Sequence, residues 1–199
     1  MFMKFLVVGS TGLIGSYVAK TLSKHGTVIG VSRTTQISVD VKDPASIKAM
    51  YEKVGKVDAV ASCIGKVAFK PVTELSYEDY LMGFKDKALG QVELLRAGIN
   101  YLNDNGSFTL MTGVLARDPI PSGSVAALAN GAIESFTLAA AIDLPRGLRI
   151  NTVSPNVLVE ATSYHPSFPG YHQVSAQSVA DAYVKSILGK QTGQIYKLD

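Results

Sequence analysis

Gly9-Ser10-Thr11-Gly12-Leu13-Ile14-Gly15 follows the apolar run Phe5 to Val8 and leads straight into a helix-like stretch, Gly12 to Lys24. Glycine lets the chain reverse tightly and lie close to a ligand, while the free amides and positive dipole end of the helix attract negative charge. A glycine triplet says little by itself. After a strand and before a helix in an alternating chain it predicts a pyrophosphate-binding turn, and all seven residues are candidate ligand contacts. A turn that serves only helix–strand packing is the alternative.

Outward from this turn, short branched runs alternate with longer helix-like stretches, the pattern of a buried parallel sheet. The expected strands are Phe5 to Val8, Thr27 to Val31, Ile37 to Val39, Val57 to Ala61, Ser107 to Met111, Leu148 to Val153 and Gln194 to Leu198. Helices are expected from Pro44 to Val54, Tyr77 to Leu102, Gly123 to Leu144 and Ser178 to Leu188 as well. In the longest, Tyr77, Leu81, Phe84, Ala88, Val92, Leu95, Ile99 and Leu102 step by three and four and predict one buried face. The next helix offers small residues, Ala126, Ala127, Ala129, Gly131 and Ala132, for close packing within one chain or between two. The expected fold is α/β: one Rossmann-like domain over residues 1–199, a doubly wound parallel sheet of about seven strands. The irregular segment Asn156 to Gln177 would then lie over the carboxyl ends of the strands, as a lid.

With 199 residues, 47% hydrophobic and 18% charged, the chain fits one compact domain and is too apolar for disorder. A net charge of +3 with no basic block argues against nucleic acid or an acidic membrane surface as partner. A lone cysteine excludes a disulfide framework. Met1 to Val8 reads as a strand and is too short for a secretory core. Ser124 to Ile142 is apolar, but Asn130, Glu134 and Ser135 make it a poor match to the ~20 apolar residues a membrane span needs. The expected setting is the cytoplasm. His25, His165 and His172 are too scattered to suggest a metal site, and Cys63 reads as a small buried residue rather than a nucleophile.

The second strand decides which dinucleotide is favoured. A carboxylate at its end would grip a ribose 2′-hydroxyl and repel a 2′-phosphate. No Asp or Glu occurs before Asp40; the strand runs into Ser32-Arg33-Thr34, and a guanidinium beside a hydroxyl suits a phosphate dianion. NADP(H) is therefore favoured over NAD(H). Arg33 as an ordinary solvated charge is the alternative.

Along nearly its whole length the chain resembles the short-chain dehydrogenase/reductase family. The glycine turn matches the family's loop in its Gly-x-x-Gly-x-x-Gly form. Asp40-Val41 is similar to the pair that contacts adenine, and Ser62-Cys63-Ile64-Gly65 stands where the family has Asn-Asn-Ala-Gly. Arg149-Ile150-Asn151-Thr152-Val153-Ser154-Pro155-Asn156 resembles the motif Arg-x-Asn-x-Val-x-Pro-Gly, and Thr192-Gly193-Gln194 the turn into the family's last strand. The resemblance implies cofactor contacts from Asp40, Val41, Cys63, Ile64 and Gly65, besides the turn, Ser32 and Arg33. It also implies a homodimer or homotetramer built on the two long helices.

The family's catalytic residues are not kept. Ala126 stands at the tyrosine of Tyr-x-x-x-Lys, Asn130 at its lysine, Gly113 at the serine with Thr112 beside it, and Lys87 at the asparagine. An acid in this role is worth about 10²–10⁴ in rate. The remaining candidates for a substituted site are Lys87, Thr112 and Asn130. Two functions stay open: reduction or oxidation of a small molecule, and non-catalytic NADP(H) binding as a redox sensor or inactive partner subunit.

Overall fold

The computed structural model describes residues 3–199, so the expected strand start at Met1 and Phe2 lies outside the described residues. Six parallel strands form one sheet in the order β2-β1-β3-β4-β5-β6: β1 Met3–Val8, β2 Gly26–Val31, β3 Val57–Ser62, β4 Leu102–Met111, β5 Arg149–Pro155 and β6 Ile195–Leu198. The helices are α1 Leu13–Leu22, α2 Pro44–Val54, α3 Tyr77–Gly83, α4 Gly90–Gly98, α5 Ser124–Asp143 and α6 Ala176–Leu188. β1 lies between β2 and β3, so the crossovers diverge there and leave a crevice beyond the strand ends.

The period of two along β1 divides the core. Leu6 and Val8 face α2, α4 and α5 through Tyr51, Leu94 and Ile133. Phe5 and Val7 face α1 and α6 through Val18, Leu22 and Tyr183. Burial of one such side chain contributes roughly 1.5–3 kcal/mol. These two layers fix the sheet, and every strand then delivers its carboxyl end to one side of the molecule.

Two expectations need correction. Ile37 to Val39 is not a seventh strand: beside β2 there is one bridge, Ser32 to Ser38. The chain bends before it can pair further, because Thr35 Oγ1 accepts from the Ser32 amide at 2.7 Å and donates to the Ile37 carbonyl at 2.8 Å. The predicted helix Tyr77 to Leu102 is also not continuous. α3 begins at a capping box between Ser76 and Asp79, a π-helical turn occupies Phe84–Leu89, α4 follows, a short 3-10 turn spans Ile99–Tyr101, and Leu102 already belongs to β4. A π turn inserts a residue. The face buried by α4 is accordingly Gln91, Leu94, Leu95 and Gly98 rather than Val92 and Ile99, while Tyr77 is exposed.

Among the described residues, α5 is long and apolar enough by length and composition to cross a bilayer. Here it packs on the sheet through Ala129, Ile133 and Ala140. Thr137 Oγ1 pairs with Thr152 Oγ1 at 2.6 Å, and Glu134 accepts hydrogen bonds from Thr112, just past β4, and from Ser154 of β5, so its polar residues are used within the fold. Of the small residues on α5, Ala126 and Ala129 are buried within the chain, whereas a Cβ on Gly131 would meet nothing within 4 Å.

Candidate functional site

Gly9 has φ +84, and a Cβ there would come within 2.5 Å of the Cys63 carbonyl, so the turn needs glycine on both counts. The Gly9 amide donates to the Val31 carbonyl at 2.8 Å, tying the turn to β2. Gly12 caps α1 without a side-chain hydrogen bond, and the first turn of the helix carries no acid. Its amide end is thus free of a competing anion. Gly15 is where α1 crosses the turn most closely: a Cβ would lie 2.0 Å from the Gly9 carbonyl.

A cleft of about 280 Å³ opens beyond this turn. It is lined by Gly9, Thr11 and Gly12 from the turn and by Ser32 and Arg33 from the end of β2. Asp40, Val41, Cys63, Ile64 and Gly65 complete its other walls. The remaining candidates of the turn, Ser10, Leu13, Ile14 and Gly15, are not on the cleft lining. Ser10 turns its hydroxyl toward the Val31 carbonyl over Gly30, Leu13 is exposed on α1, and Gly15 is packed under the turn. Ile14 enters a second cavity instead. No carboxylate lies within ion-pair distance of Arg33 among the described residues. Lys42, which the sequence reading missed, adds another cation to the cleft.

The second cavity, about 350 Å³, shares Cys63, Ile64, Gly65 and Lys66 with the cleft and brings Lys87, Thr112 and Asn130 together. Lys87 reaches it from the π turn and passes over Gly65, where a Cβ would lie 2.6 Å from Lys87 Cγ. Burial pulls the ammonium down to about 8, against the opposing pull of the neighbouring Asp86 carboxylate. That carboxylate is engaged elsewhere, accepting from the Lys66 amide at 2.9 Å. Buried Gln91 holds the π turn to the end of β4: its Nε2 donates to the Lys87 and Met111 carbonyls at 2.9 and 2.8 Å, and its Oε1 accepts from the Met111 amide at 2.8 Å.

Asn130 donates from Nδ2 to the Gly113 carbonyl at 3.2 Å, while its buried Oδ1 has no partner among the described residues. Such an orphan acceptor on a cavity wall seeks a donor. Thr112 spends its hydroxyl on Glu134, donating to Oε1 at 3.0 Å, and Ser154 Oγ donates to the same oxygen at 2.8 Å. Ala126 and Gly113 also line the cavity, and neither side chain can give or take a proton. Burial pushes the Cys63 thiol up to about 12, which leaves it inert as a nucleophile near neutrality.

The segment 156–177 covers this cavity from the strand ends. It is tied back by a bridge between Leu158 and Val174, and the Glu160 carboxylate accepts from the Ala176 amide at 2.9 Å. A 3-10 turn, Thr162–Ser167, carries Tyr164 to the rim, where its ring meets Phe69 with centroids 6.0 Å apart. Sequence reading placed the lid but not these two rings, since prolines and glycine mark the loop without saying which side chain turns inward.

A family model described as Enoyl-(Acyl carrier protein) reductase matches residues 12–192. The chain belongs to the short-chain dehydrogenase/reductase family. The crystal structure of the protein lin1944 from Listeria innocua is 47% identical, covers 99% of this chain and 100% of that one, and superposes with a TM-score of 0.97. A small-chain dehydrogenase in complex with NADPH is 27% identical over 100% of this chain and 97% of its own, with a TM-score of 0.89. The hydroxynaphthalene reductase-like protein Arp2 of Metarhizium brunneum is 27% identical over 75% of this chain, which spans 66% of that relative. Membership in this oxidoreductase family agrees with the Rossmann-like sheet and with a crevice at the divergence of β1 and β3.

Proposed function

We propose that this short-chain dehydrogenase/reductase binds NADP(H) in the cleft beside the glycine turn and reduces a small carbonyl compound in the adjoining cavity. The observation that carries the reading is the Lys87 ammonium: it lines the second cavity with no salt-bridge partner among the described residues and has a proton affinity near neutrality. The 27%-identical dehydrogenase with NADPH supports the choice of dinucleotide. The cleft fits one as well, with open α1 amides for a diphosphate, a free Arg33 with Ser32 for a 2′-phosphate, and Asp40 and Val41 beside the place for adenine. The orphan Asn130 Oδ1 would accept from a hydroxyl or amide of the nicotinamide half.

When bound, the dinucleotide supplies the hydride that goes to the carbonyl carbon. Lys87 holds the carbonyl oxygen by donating to it, gives up one proton as the oxygen becomes an alcohol, and regains it from water. Tyr164, Phe69 and the lid keep the cavity apolar, which strengthens that interaction. Ala126 at the family's tyrosine position favours a second reading, a non-catalytic NADP(H) sensor or inactive partner subunit. Both are tested by titrating the protein with NADPH by fluorescence and then following nicotinamide absorbance with carbonyls, imines and quinones. Turnover lost in Lys87→Ala supports the reductase; turnover that survives it removes Lys87 from the chemistry. Binding without any turnover favours the sensor. In the same reading Leu128, Leu138 and Ile142, exposed on the outer side of α5, meet a second copy of the chain, which light scattering would detect as a dimer or tetramer.

A further inference from the structure

The charge pattern of the second cavity bears on what fills it. Its walls include Val67, Leu115, Val157 and Leu158, with Phe69 and Phe168 among its aromatic residues. Among the described residues the cations on its lining are Lys66 and Lys87, and no Asp or Glu lines it. Lys66 is exposed and stands between this cavity and the cleft, whereas Lys87 is drawn over Gly65 among apolar neighbours. The nearest acid along the chain, Asp86, faces the cleft and accepts from the Lys66 amide. α5 presents uncharged Ala126 and Asn130 to the cavity, and its Glu134 is occupied by Thr112 and Ser154.

An unpaired ammonium in an apolar cavity is costly, and a ligand with the opposite charge removes that cost. A neutral ligand leaves it in place. At about 350 Å³ the cavity is at the small end of ligand sites and suits one ring or a short branched chain.

We infer that the substrate is an apolar oxo acid: a small aryl or branched-alkyl carbonyl compound with an anionic oxygen beside the carbonyl, both oxygens facing the Lys87 ammonium. The inference rests on the preceding assignment of this cavity to the substrate. It adds the charge and body of the molecule. One ammonium with three donors can serve the carbonyl and the anion together, so recognition and proton donation use the same group.

The test compares 2-oxo-4-phenylbutanoate with its methyl ester, by calorimetry on protein saturated with NADP⁺, in which no reduction can occur. The acid is expected to bind at least about tenfold more tightly than the ester, equivalent to 1.4 kcal/mol. That preference should persist in Lys87→Arg and vanish in Lys87→Met. Equal binding, binding of neither compound, or a preference that survives Lys87→Met would overturn the inference, as would a preference lost in Lys66→Gln instead. If Lys87→Met does not fold, the acid-to-ester ratio in the unaltered protein and in Lys87→Arg decides. A separate NADPH fluorescence titration distinguishes the two readings: a protein that binds NADPH but shows no acid preference overturns this inference alone, whereas failure to bind dinucleotide overturns the preceding proposal and this one with it.

Discussion

Lys87→Met should make the protein more stable at neutral pH, and the gain should fade in alkali. The Lys87 ammonium is held at about 8 in the folded protein against 10.5 when unfolded, because burial disfavours its charge. Between those values the unfolded chain holds a proton that the folded one has released, so stability rises with pH across this window. Below about 8 the full penalty is present; above 10.5 it is gone. A gap of about 2.5, at 1.36 kcal/mol per pH unit, corresponds to roughly 3 kcal/mol, and partial exposure of the side chain reduces this to roughly 2. Methionine is close in shape to the lysine stem and carries no charge. For a domain of this size the melting temperature should rise by roughly 4–8 °C at pH 7. Thermal melts of the dinucleotide-free protein and the variant, at pH 7 and at pH 11, provide the measurement. The difference between the two pH values isolates charge from packing. A variant less stable at pH 7, or a gain of equal size at both, would refute the reasoning.

Other changes address other parts of the site. Arg33→Ala should weaken NADPH binding by about 1.5–3 kcal/mol and leave NADH binding unchanged, as read from two dissociation constants; a parallel loss for both would show that Arg33 does not read the 2′-phosphate. Gly15→Ala must displace the turn, since its Cβ would meet the Gly9 carbonyl at 2.0 Å, and fluorescence titration should find NADPH binding abolished. Gln91→Leu leaves the Met111 amide and carbonyl without their buried partners, so chemical denaturation should report a loss of about 2–4 kcal/mol. If α5 meets a second copy of the chain as proposed, Leu138→Glu with Ile142→Glu, on its exposed side, should leave a monomer in light scattering where the unaltered protein gives a larger species.

Much of the fold could be read because its determinants are local. The glycines of residues 9–15 specify their own turn, and the branched runs at Val57 and Arg149 have strand periodicity wherever they pack. The break in the long helix was not legible, because the π turn at Phe84–Leu89 depends on where Gln91 finds the end of β4, a partner 20 residues away. Apolar residues that step by three and four look the same on either side of an inserted residue. Ile37 to Val39 failed for a similar reason: its strand-like residues lost to hydrogen bonds made by Thr35. Motif spacing brought Lys87, Thr112 and Asn130 to one cavity, but it could not foresee that Thr112 is committed to Glu134 while Lys87 makes no salt bridge among the described residues.

Gly65 is a wall common to both cavities, and the Lys87 stem lies where a side chain on it would be. The two chambers are therefore not independent receptors. Whatever settles first against Gly65 presets the height of the ammonium for the next arrival, and linkage requires the influence to run equally in reverse. In binding terms this predicts that each ligand's dissociation constant changes by the same factor when the other is present, whichever of the two is added first.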